Sequence, residues 1–288
     1  GGRFTVSPHS KNNKEEDRVI LMKVALRCRP LTSKEIEKGC TSCLHFVPGK
    51  PEVTVASSKS FTFDYVFDPS IEQEEVFNTS VAPLVRRVFS GYNGTILAYG
   101  ETGSGKTYSM GGAYATGQEN DPTIGVIPRV IMTVFQLVEE KVEWQFTLKV
   151  SYLEIYDEDT LDLLAPGKKR TQISIQEKPT GGIQILGLTE HRVTNAHETL
   201  LYLEQGNNSR KVAATAMNVQ SSCSHAIFTI YIEQKSKADG KVHFLSKLNL
   251  VDLAGSERQK KTEAGGERFQ EGQQAPDYLS KGTVCMKT

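Results

Sequence analysis

The sequence predicts an α/β domain in which helices flank a central, mostly parallel, twisted sheet. Short apolar, β-branched runs alternate with longer segments of helical periodicity. A glycine-rich run lies between one such strand and the helix after it. The chain has 288 residues, of which 38% are hydrophobic, so it is long enough to bury a core around such a sheet.

The strand and helix patterns follow one another along the first hundred residues. VILMKVALRC predicts a buried strand that ends at Arg29 and Pro30, because proline cannot donate to a strand ladder. PEVTVA and SFTFDYVF alternate like the two strands of an edge hairpin. EQEEVFNTSVAPLVRRVF has apolar residues at helical spacing and predicts a helix that leads into the strand GTILAYG.

The same alternation continues to about residue 272. VIPRVIMTVFQLVEEK and HETLLYLEQGNN predict helices, and FTLKVSYLEIYDEDTLDLL predicts a long strand that passes into a helical turn. HAIFTIYIEQ and HFLSKLNLVDLAG predict two apolar strands. We therefore expect a flexible, charged leader over residues 1–18, a folded domain over residues 19–272, and a tail over residues 273–288 without a regular element.

Charge and cysteine content narrow the classes of partner and compartment. Thirty-four basic residues balance thirty-four acidic ones, so any charged partner must meet a local patch, and we expect no direct DNA binding. The chain shows no apolar stretch long enough for a membrane span, so we expect a soluble protein without a membrane partner. Five cysteines, an odd number, favour reduced thiols in the cytosol or nucleus. Cys40 and Cys43 form a CxxC, but no second ligand pair accompanies it, so we expect no zinc site.

The glycine-rich run GETGSGKT fits the phosphate-binding pattern GxxxxGK[ST]. Its glycines let backbone N–H groups turn toward a polyphosphate, its lysine meets the β and γ oxygens, and its threonine hydroxyl can bind Mg²⁺. A plain glycine turn before a helix would give no reason for the lysine and threonine. The candidate nucleotide-binding residues here are Gly100, Glu101, Thr102, Gly103, Ser104, Gly105, Lys106 and Thr107.

Two later segments supply further candidates. LNLVDLAG is an apolar strand that ends in an acid, so Asp252 is a candidate to hold magnesium through water and the Gly255 amide to bind a γ-phosphate. NVQSSCSHAIF places Ser221 and Ser222 before a strand, where they could meet the γ-phosphate and magnesium. Taken alone, the acid is an ordinary surface residue and the serines are a solvated turn. Together with the glycine-rich loop they predict a nucleotide site.

The chain resembles a kinesin motor domain over residues 19–272. The residues that carry the resemblance are RCRP, GETGSGKTYSM, NxxSSxSH and DLAGSE, in this order. CLHFVPGKPEV, FDPSIEQEEVFNTSVAPLV, TIGVIPRVI and SERQKKTEAGGERFQEG are more narrowly similar to the chromokinesin class, whose motors walk on microtubules and work at chromosome arms and the spindle midzone. The resemblance implies a P-loop NTPase core that hydrolyses ATP with Mg²⁺, in the cytoplasm and cytoskeleton, with the nucleus and spindle as further locations.

The resemblance also implies roles for individual residues. Arg27, Arg29 and Pro30 would border the adenine, with Tyr108 stacked near it. Ser221 and Ser222 would belong to the first switch (residues 218–228), and Asp252, Gly255 and Glu257 to the second switch (residues 252–257). Ser222, Gly255 and Glu257 would serve hydrolysis, and Thr107, Ser222 and Asp252 would hold Mg²⁺, the last through water. Glu257 would pair with an arginine of the first switch and close the site around the attacking water.

Two residues of the site depart from the family pattern. Cys223 stands where the family has arginine, so Glu257 lacks its charged partner, which costs about 3 kcal/mol. If the closed state bears the whole loss, turnover falls roughly a hundredfold. Glu101 replaces a glutamine and adds a negative charge beside the phosphates, which weakens ATP binding by about 1 kcal/mol when solvated.

A third departure concerns the C-terminal part. Related motors continue past residue 272 into a microtubule-binding helix, a second helix, a sheet strand and a neck linker, and residues 273–288 match none of these. We expect the missing strand to leave unpaired edges between the loop-bearing strand and the first strand. The outcome would be aggregation or, as the alternative, a rearranged sheet. Lys260, Lys261 and Arg268 would face acidic tubulin, although a solvated charged loop is the plainer interpretation, and without the helix the affinity would fall.

Three functions therefore remain open at the level of the sequence. The first is a microtubule-dependent motor ATPase. The second is a P-loop small-molecule kinase or GTPase, although no guanine-reading NKxD is present. The third is a nucleotide-binding, non-motile protein deficient in hydrolysis.

Overall fold

The computed structural model describes residues 22–56, 58–157, 159–169, 172–179, 182–216, 223–257 and 283–287. The strands are β1 (Met22–Arg27), β2 (Leu44–Phe46), β3 (Glu52–Val55), β4 (Lys59–Thr62), β5 (Tyr65–Phe67), β6 (Gly94–Tyr99), β7 (Trp144–Tyr156), β8 (Asp159–Asp162), β9 (Ser174–Glu177), β10 (Ile183–Leu186), β11 (His191–Val193), β12 (His225–Ser236), β13 (His243–Asp252) and β14 (Thr283–Lys287). The helices are α1 (Ser33–Glu37), α2 (Gln73–Val76), α3 (Ala82–Val88), α4 (Lys106–Met110), α5 (Val126–Glu140) and α6 (Ala196–Ala216).

The main sheet has the strand order β11-β7-β12-β13-β6-β14-β1-β5. A ninth strand, β8, also pairs with β7 but lies outside this linear order. The pairings from β13 to β5 are parallel, and those from β11 to β13 are antiparallel. The connection from β12 to β13, residues 237–242, is a hairpin loop, and so short a connection permits only antiparallel pairing. The predicted α/β class with a central sheet flanked by helices is confirmed, although the pairing is more evenly mixed than we expected.

Strand β14 corrects the expectation for the tail. It lies between β6 and β1 and is parallel to both, with Val284 opposite Ile96 on one side and Lys23 on the other. The prediction that residues 273–288 contain no regular element is therefore wrong at 283–287. The gap that we expected between the loop-bearing strand and the first strand is filled, so the alternative of a completed sheet is the one observed. Backbone groups of β6 and β1 at this position find ladder partners instead of remaining unpaired.

Two other predicted elements differ in detail. The predicted helical turn after the long strand is strand β8, which folds back on β7 with Asp162 opposite Leu153. The Asp162 carboxylate is fully buried and accepts the backbone N–H groups of Leu164 and Thr189. A side chain that captures local backbone donors in this way favours a turn over a helix.

The segment SFTFDYVF, predicted as one strand, divides between two sheets. Its first half is β4, which pairs with β3 in a three-stranded sheet of order β2-β3-β4. Its second half is β5, which joins the main sheet beside β1. The predicted edge hairpin is thus present. The predicted helix from residue 72 to 89 is also present, but a π-helical segment, Phe77–Val81, joins α2 to α3.

The helices bury an apolar face against the sheet core. In α5, Ile127, Val130, Ile131 and Val134 are at most 2% exposed and recur at the i, i+3, i+4, i+7 spacing of one helical face. Each such side chain contributes about 1.5–3 kcal/mol of transfer free energy when fully buried. Helix α5 packs against α3, α4 and α6. Among the described residues, no helix combines the length and the apolar character that crossing a bilayer requires.

Candidate functional site

The glycine-rich loop connects the carboxyl end of β6 to helix α4. Gly103 and Gly105 have φ angles of 82° and 103°, in the left-handed region that favours glycine. The Lys106 side chain is buried, and its Nζ donates to the carbonyl oxygens of Gly100 and Glu101, at 2.9 Å each. An ammonium has three N–H donors, and within the described part of the chain two of them are used, so the third is left for a phosphate oxygen. The loop and lysine therefore fit a polyphosphate.

Thr107 and Asp252 meet beside this loop. Strands β6 and β13 are parallel neighbours, with Ala98 opposite Asp252, so their carboxyl ends lie at one edge of the sheet. The Thr107 hydroxyl donates to Asp252 Oδ2 over 2.9 Å. A hydroxyl and a carboxylate are the oxygen ligands that Mg²⁺ favours, so the donor set fits this ion. Thr107 and Asp252, both candidate Mg²⁺ ligands and 145 positions apart in the sequence, therefore lie in direct contact.

The second switch (residues 252–257) is attached to the loop through its backbone. Ser256 N–H donates to the Gly100 carbonyl at 3.0 Å, and Leu253 N–H donates to Ala98 at 3.3 Å. A Cβ added at Gly255 would collide with the Glu257 carboxylate and the Thr102 hydroxyl. A larger residue here would displace the ends of these two side chains, so their contact depends on the glycine.

Glu257 contacts the loop directly. Its carboxylate accepts the Thr102 hydroxyl and, at 3.1 Å, the Thr102 backbone N–H. The Thr102 side-chain hydrogen bond is the main reason that the pKa of Glu257 lies below its ordinary value. Glu257 thus occupies a backbone donor of the phosphate-binding loop. The carboxylate that we expected to lack its charged partner, because Cys223 replaces the arginine, is hydrogen-bonded to Thr102 instead.

Arg27 lies beneath Tyr108 at the predicted adenine side. Arg27 is buried, and its Nη1 donates to Gln73 Oε1 at 2.6 Å and to Ser109 Oγ at 3.0 Å. Burial lowers its pKa. The guanidinium carbon lies 5.5 Å from the Tyr108 ring centroid, and Tyr108 is 53% exposed. Arg27 therefore supports the ring, which is accessible to a base, and the predicted contact between Arg27 and adenine stays a prediction.

Arg29 and Pro30 are exposed beside the loop. Arg29 Nε donates to the Gly103 carbonyl at 2.8 Å, so this predicted residue touches the apex of the loop. Its two Nη atoms pair with the Glu35 carboxylate at 2.8 and 2.7 Å. Glu35 and Gln73 are residues of the site that sequence reasoning missed.

A buried polar cluster supports Asp252 from behind, and the sequence analysis missed it as well. Arg210 on α6 donates to Asp252 Oδ2 at 3.2 Å, to Glu154 Oε1 at 3.3 Å and to the carbonyl and hydroxyl of Ser224. Burial alone would lower the pKa of Arg210, but the attraction of Asp252, Tyr152 and Glu154 outweighs it and raises the pKa. The available signal was a single acid, Glu154, inside the apolar strand SYLEIY.

The first switch (residues 218–228) is described from Cys223 onward, and Ser221 and Ser222 lie outside the described residues. Cys223 is half-buried. His225 Nδ1 accepts the Ala254 N–H at 3.0 Å, which joins the two switches. Burial lowers the pKa of His225, in agreement with a neutral ring that accepts at Nδ1. The residues Lys260, Lys261 and Arg268 also lie outside the described part.

Comparisons with known proteins point to one family of motor domains. A family model described as the kinesin motor domain matches residues 27–286, which extends into β14. Chromosome-associated kinesin KIF4A of Homo sapiens is 62% identical over 273 residues, which are 95% of this chain and 22% of that protein. Kinesin-like protein KIN-4A of Oryza sativa subsp. japonica is 44% identical, and the match covers 92% of this chain and 28% of that protein.

A solved structure shows the same architecture. It is described as the structure of a fast kinesin, with implications for ATPase mechanism and interactions with microtubules. The two chains are 35% identical and superpose with a TM-score of 0.79 over 92% of this chain and 84% of the other. The chain spans about a fifth of the length of KIF4A, so the similarity concerns one domain of that relative.

Proposed function

Because this chain belongs to the kinesin motor-domain family, we propose that it binds ATP with Mg²⁺ and couples the nucleotide to microtubule binding. The observation that carries the proposal is the meeting of Lys106, Thr107 and Asp252 at one edge of the sheet. A cation, a hydroxyl and a carboxylate at the end of a glycine-rich loop suit a magnesium-bound triphosphate.

Each part of the nucleotide would be bound by a different set of residues. Lys106 and the loop amides would bind the phosphates, and Thr107 and Asp252 would hold Mg²⁺, the second through water because Arg210 already contacts its Oδ2. Bound Mg²⁺ would neutralise charge on the β and γ oxygens. Tyr108, together with Arg29 and Pro30, would border the adenine. Such a site acts by positioning and charge stabilisation and forms no covalent bond to the nucleotide.

Hydrolysis requires a closed arrangement that this chain stabilises weakly. Cys223 cannot donate a forked, charged hydrogen bond, and the Glu257 carboxylate is bound to Thr102 instead. We therefore propose that the chain binds nucleotide better than it hydrolyses it. Ser222 and Gly255, assigned to hydrolysis with Glu257, would order around the γ-phosphate.

The proposed partner is the microtubule. The fast kinesin structure is described in terms of interactions with microtubules, and the relative KIF4A is called a chromosome-associated kinesin. By this likeness we propose a cytoskeletal location, with chromosomes and the spindle as the places of action. Lys260, Lys261 and Arg268 are the proposed basic contacts with acidic tubulin.

A steady-state ATPase assay with and without microtubules tests the proposal, alongside binding of a fluorescent ATP analogue. Binding together with stimulation of turnover by polymer supports a motor ATPase. Binding without stimulation supports the nucleotide-binding, hydrolysis-deficient alternative that Cys223 favours. Phosphorylation of a small-molecule acceptor would instead support a P-loop kinase.

A further inference from the structure

We propose that Glu35 is a positioning residue of the nucleotide site and acts through Arg29 on the apex of the glycine-rich loop. The inference rests on the proposed nucleotide binding. Glu35 lies on α1, outside every motif that predicts the site and six positions after Arg29. Its connection to the loop is visible only in the folded chain.

Glu35 fixes the orientation of the Arg29 guanidinium. The pair is bidentate, with Nη1 to Oε2 at 2.8 Å and Nη2 to Oε1 at 2.7 Å, so the planar fork cannot rotate without breaking both hydrogen bonds. This pair is the largest cause that lowers the pKa of Glu35 to about 2, and the carboxylate is charged at neutral pH. With two of its nitrogens fixed in this way, Arg29 directs the third, Nε, at the loop.

Arg29 Nε donates to the Gly103 carbonyl at 2.8 Å. In a trans peptide the C=O and the N–H lie in one plane and point in opposite directions. Because Arg29 Nε holds the Gly103 carbonyl, the Ser104 N–H of the same peptide points away from Arg29, and it donates to Glu101 O at 3.1 Å. The phosphate-binding loop works by presenting such amides inward. Arg29 thus restrains one peptide of the loop that would hold the phosphates.

Glu35 is itself held by the start of helix α1. The Thr32 hydroxyl accepts the Glu35 N–H, and Glu35 Oε2 accepts the Thr32 N–H at 2.7 Å, which is a capping box. The loop apex is in this way connected to a helix terminus through Gly103, Arg29 and Glu35. Reduced motion of an unliganded loop lowers the ordering cost of binding and so raises affinity.

Glu35→Gln separates the positioning role from the capping role. Glutamine also forms a capping box, so helix α1 keeps its start, whereas the charged, forked pair with Arg29 is lost. The side chains of Arg29 and Glu35 are 36% and 32% exposed, so solvent weakens the pair, and we expect about a fivefold loss of affinity. Glu37→Gln, an exposed residue of the same helix, makes the same charge change and is the matched control.

The experiment is a titration of the full chain and its variants with a fluorescent ADP analogue in the presence of Mg²⁺. We expect Glu35→Gln to raise the Kd about fivefold and Glu37→Gln to leave it unchanged. Both variants should keep the parent melting temperature without nucleotide. In an Arg29→Ala background, Glu35→Gln should have no further effect, because its action passes through Arg29.

Two outcomes would overturn the inference alone. One is a Kd for Glu35→Gln within twofold of the parent. The other is an equal loss of affinity in the presence and absence of Arg29. A parent chain that binds no analogue would instead refute the proposed function, and this inference with it.

Discussion

Replacing Arg210 by methionine removes the cation that lies between two buried carboxylates. Arg210 is 6% exposed and lies 3.2 Å from Asp252 and 3.3 Å from Glu154, which are 5% and 4% exposed. Methionine keeps much of the apolar contact but leaves both acids without this partner. Breaking a buried ion pair in this way costs about 3–5 kcal/mol. For a domain of this size, about 1 kcal/mol corresponds to 2–4 °C, so we expect a fall in melting temperature of roughly 10 °C.

Thermal unfolding followed by circular dichroism measures this effect. Arg192→Met, an exposed arginine on β11, is the matched control and should change stability by no more than about 0.5 kcal/mol. Adding Glu154→Gln to Arg210→Met should recover part of the lost stability, because Asp252 is then the one buried charge left of these three residues. A fall of less than 3 °C for Arg210→Met, or no recovery in the double variant, would refute the role assigned to this cluster.

Two further predictions concern the switches. Cys223→Arg should raise ATP turnover by about ten- to a hundredfold, because arginine can draw Glu257 away from Thr102. The control Cys223→Ser should leave turnover unchanged. Equal rates for both variants in a steady-state assay would contradict this prediction. His225 has a lowered folded pKa, so the unfolded chain takes up a proton first as the pH falls below about 6.5. The contribution of His225 to the free energy of unfolding should be full above that pH and decline toward the folded pKa. Urea unfolding at pH 7.5 and 5.5 measures this decline, and it should be smaller in His225→Asn, which keeps an acceptor for the Ala254 N–H. An equal loss of stability between the two pH values in the parent and the variant would argue against a role for His225.

Sequence reasoning predicted the parts of the site that a local pattern defines. The glycines of the loop from Gly100 to Thr107 determine its backbone conformation. Asp252 ends an apolar strand that could only lie in the sheet. Parallel pairing of β6 and β13 then brings Thr107 and Asp252 together. In these cases local chemistry and sheet geometry point to the same arrangement.

The remaining parts depend on contacts distant in sequence. Nothing in TVCMK marks it as a strand, and its place follows from the ladder groups that β6 and β1 offer on either side. Arg210 and Glu154 are ordinary charged residues in the sequence, and only the approach of α6 to β7 makes them a buried pair. The motifs left Glu257 without a charged partner, because Cys223 stands where the family has arginine, and only the folded chain brings Glu257 into contact with Thr102, 155 positions away.

The central claim is that the buried Lys106 and its loop bind the phosphates of a magnesium nucleotide. Isothermal titration of ATP with Mg²⁺ into the parent chain, Lys106→Ala and the exposed control Lys50→Ala tests it most directly. We expect one nucleotide bound per chain in the parent and in Lys50→Ala, and a loss of roughly a hundredfold or more in affinity for Lys106→Ala. Binding by Lys106→Ala as tight as that of the parent, or no binding by the parent, would contradict the account.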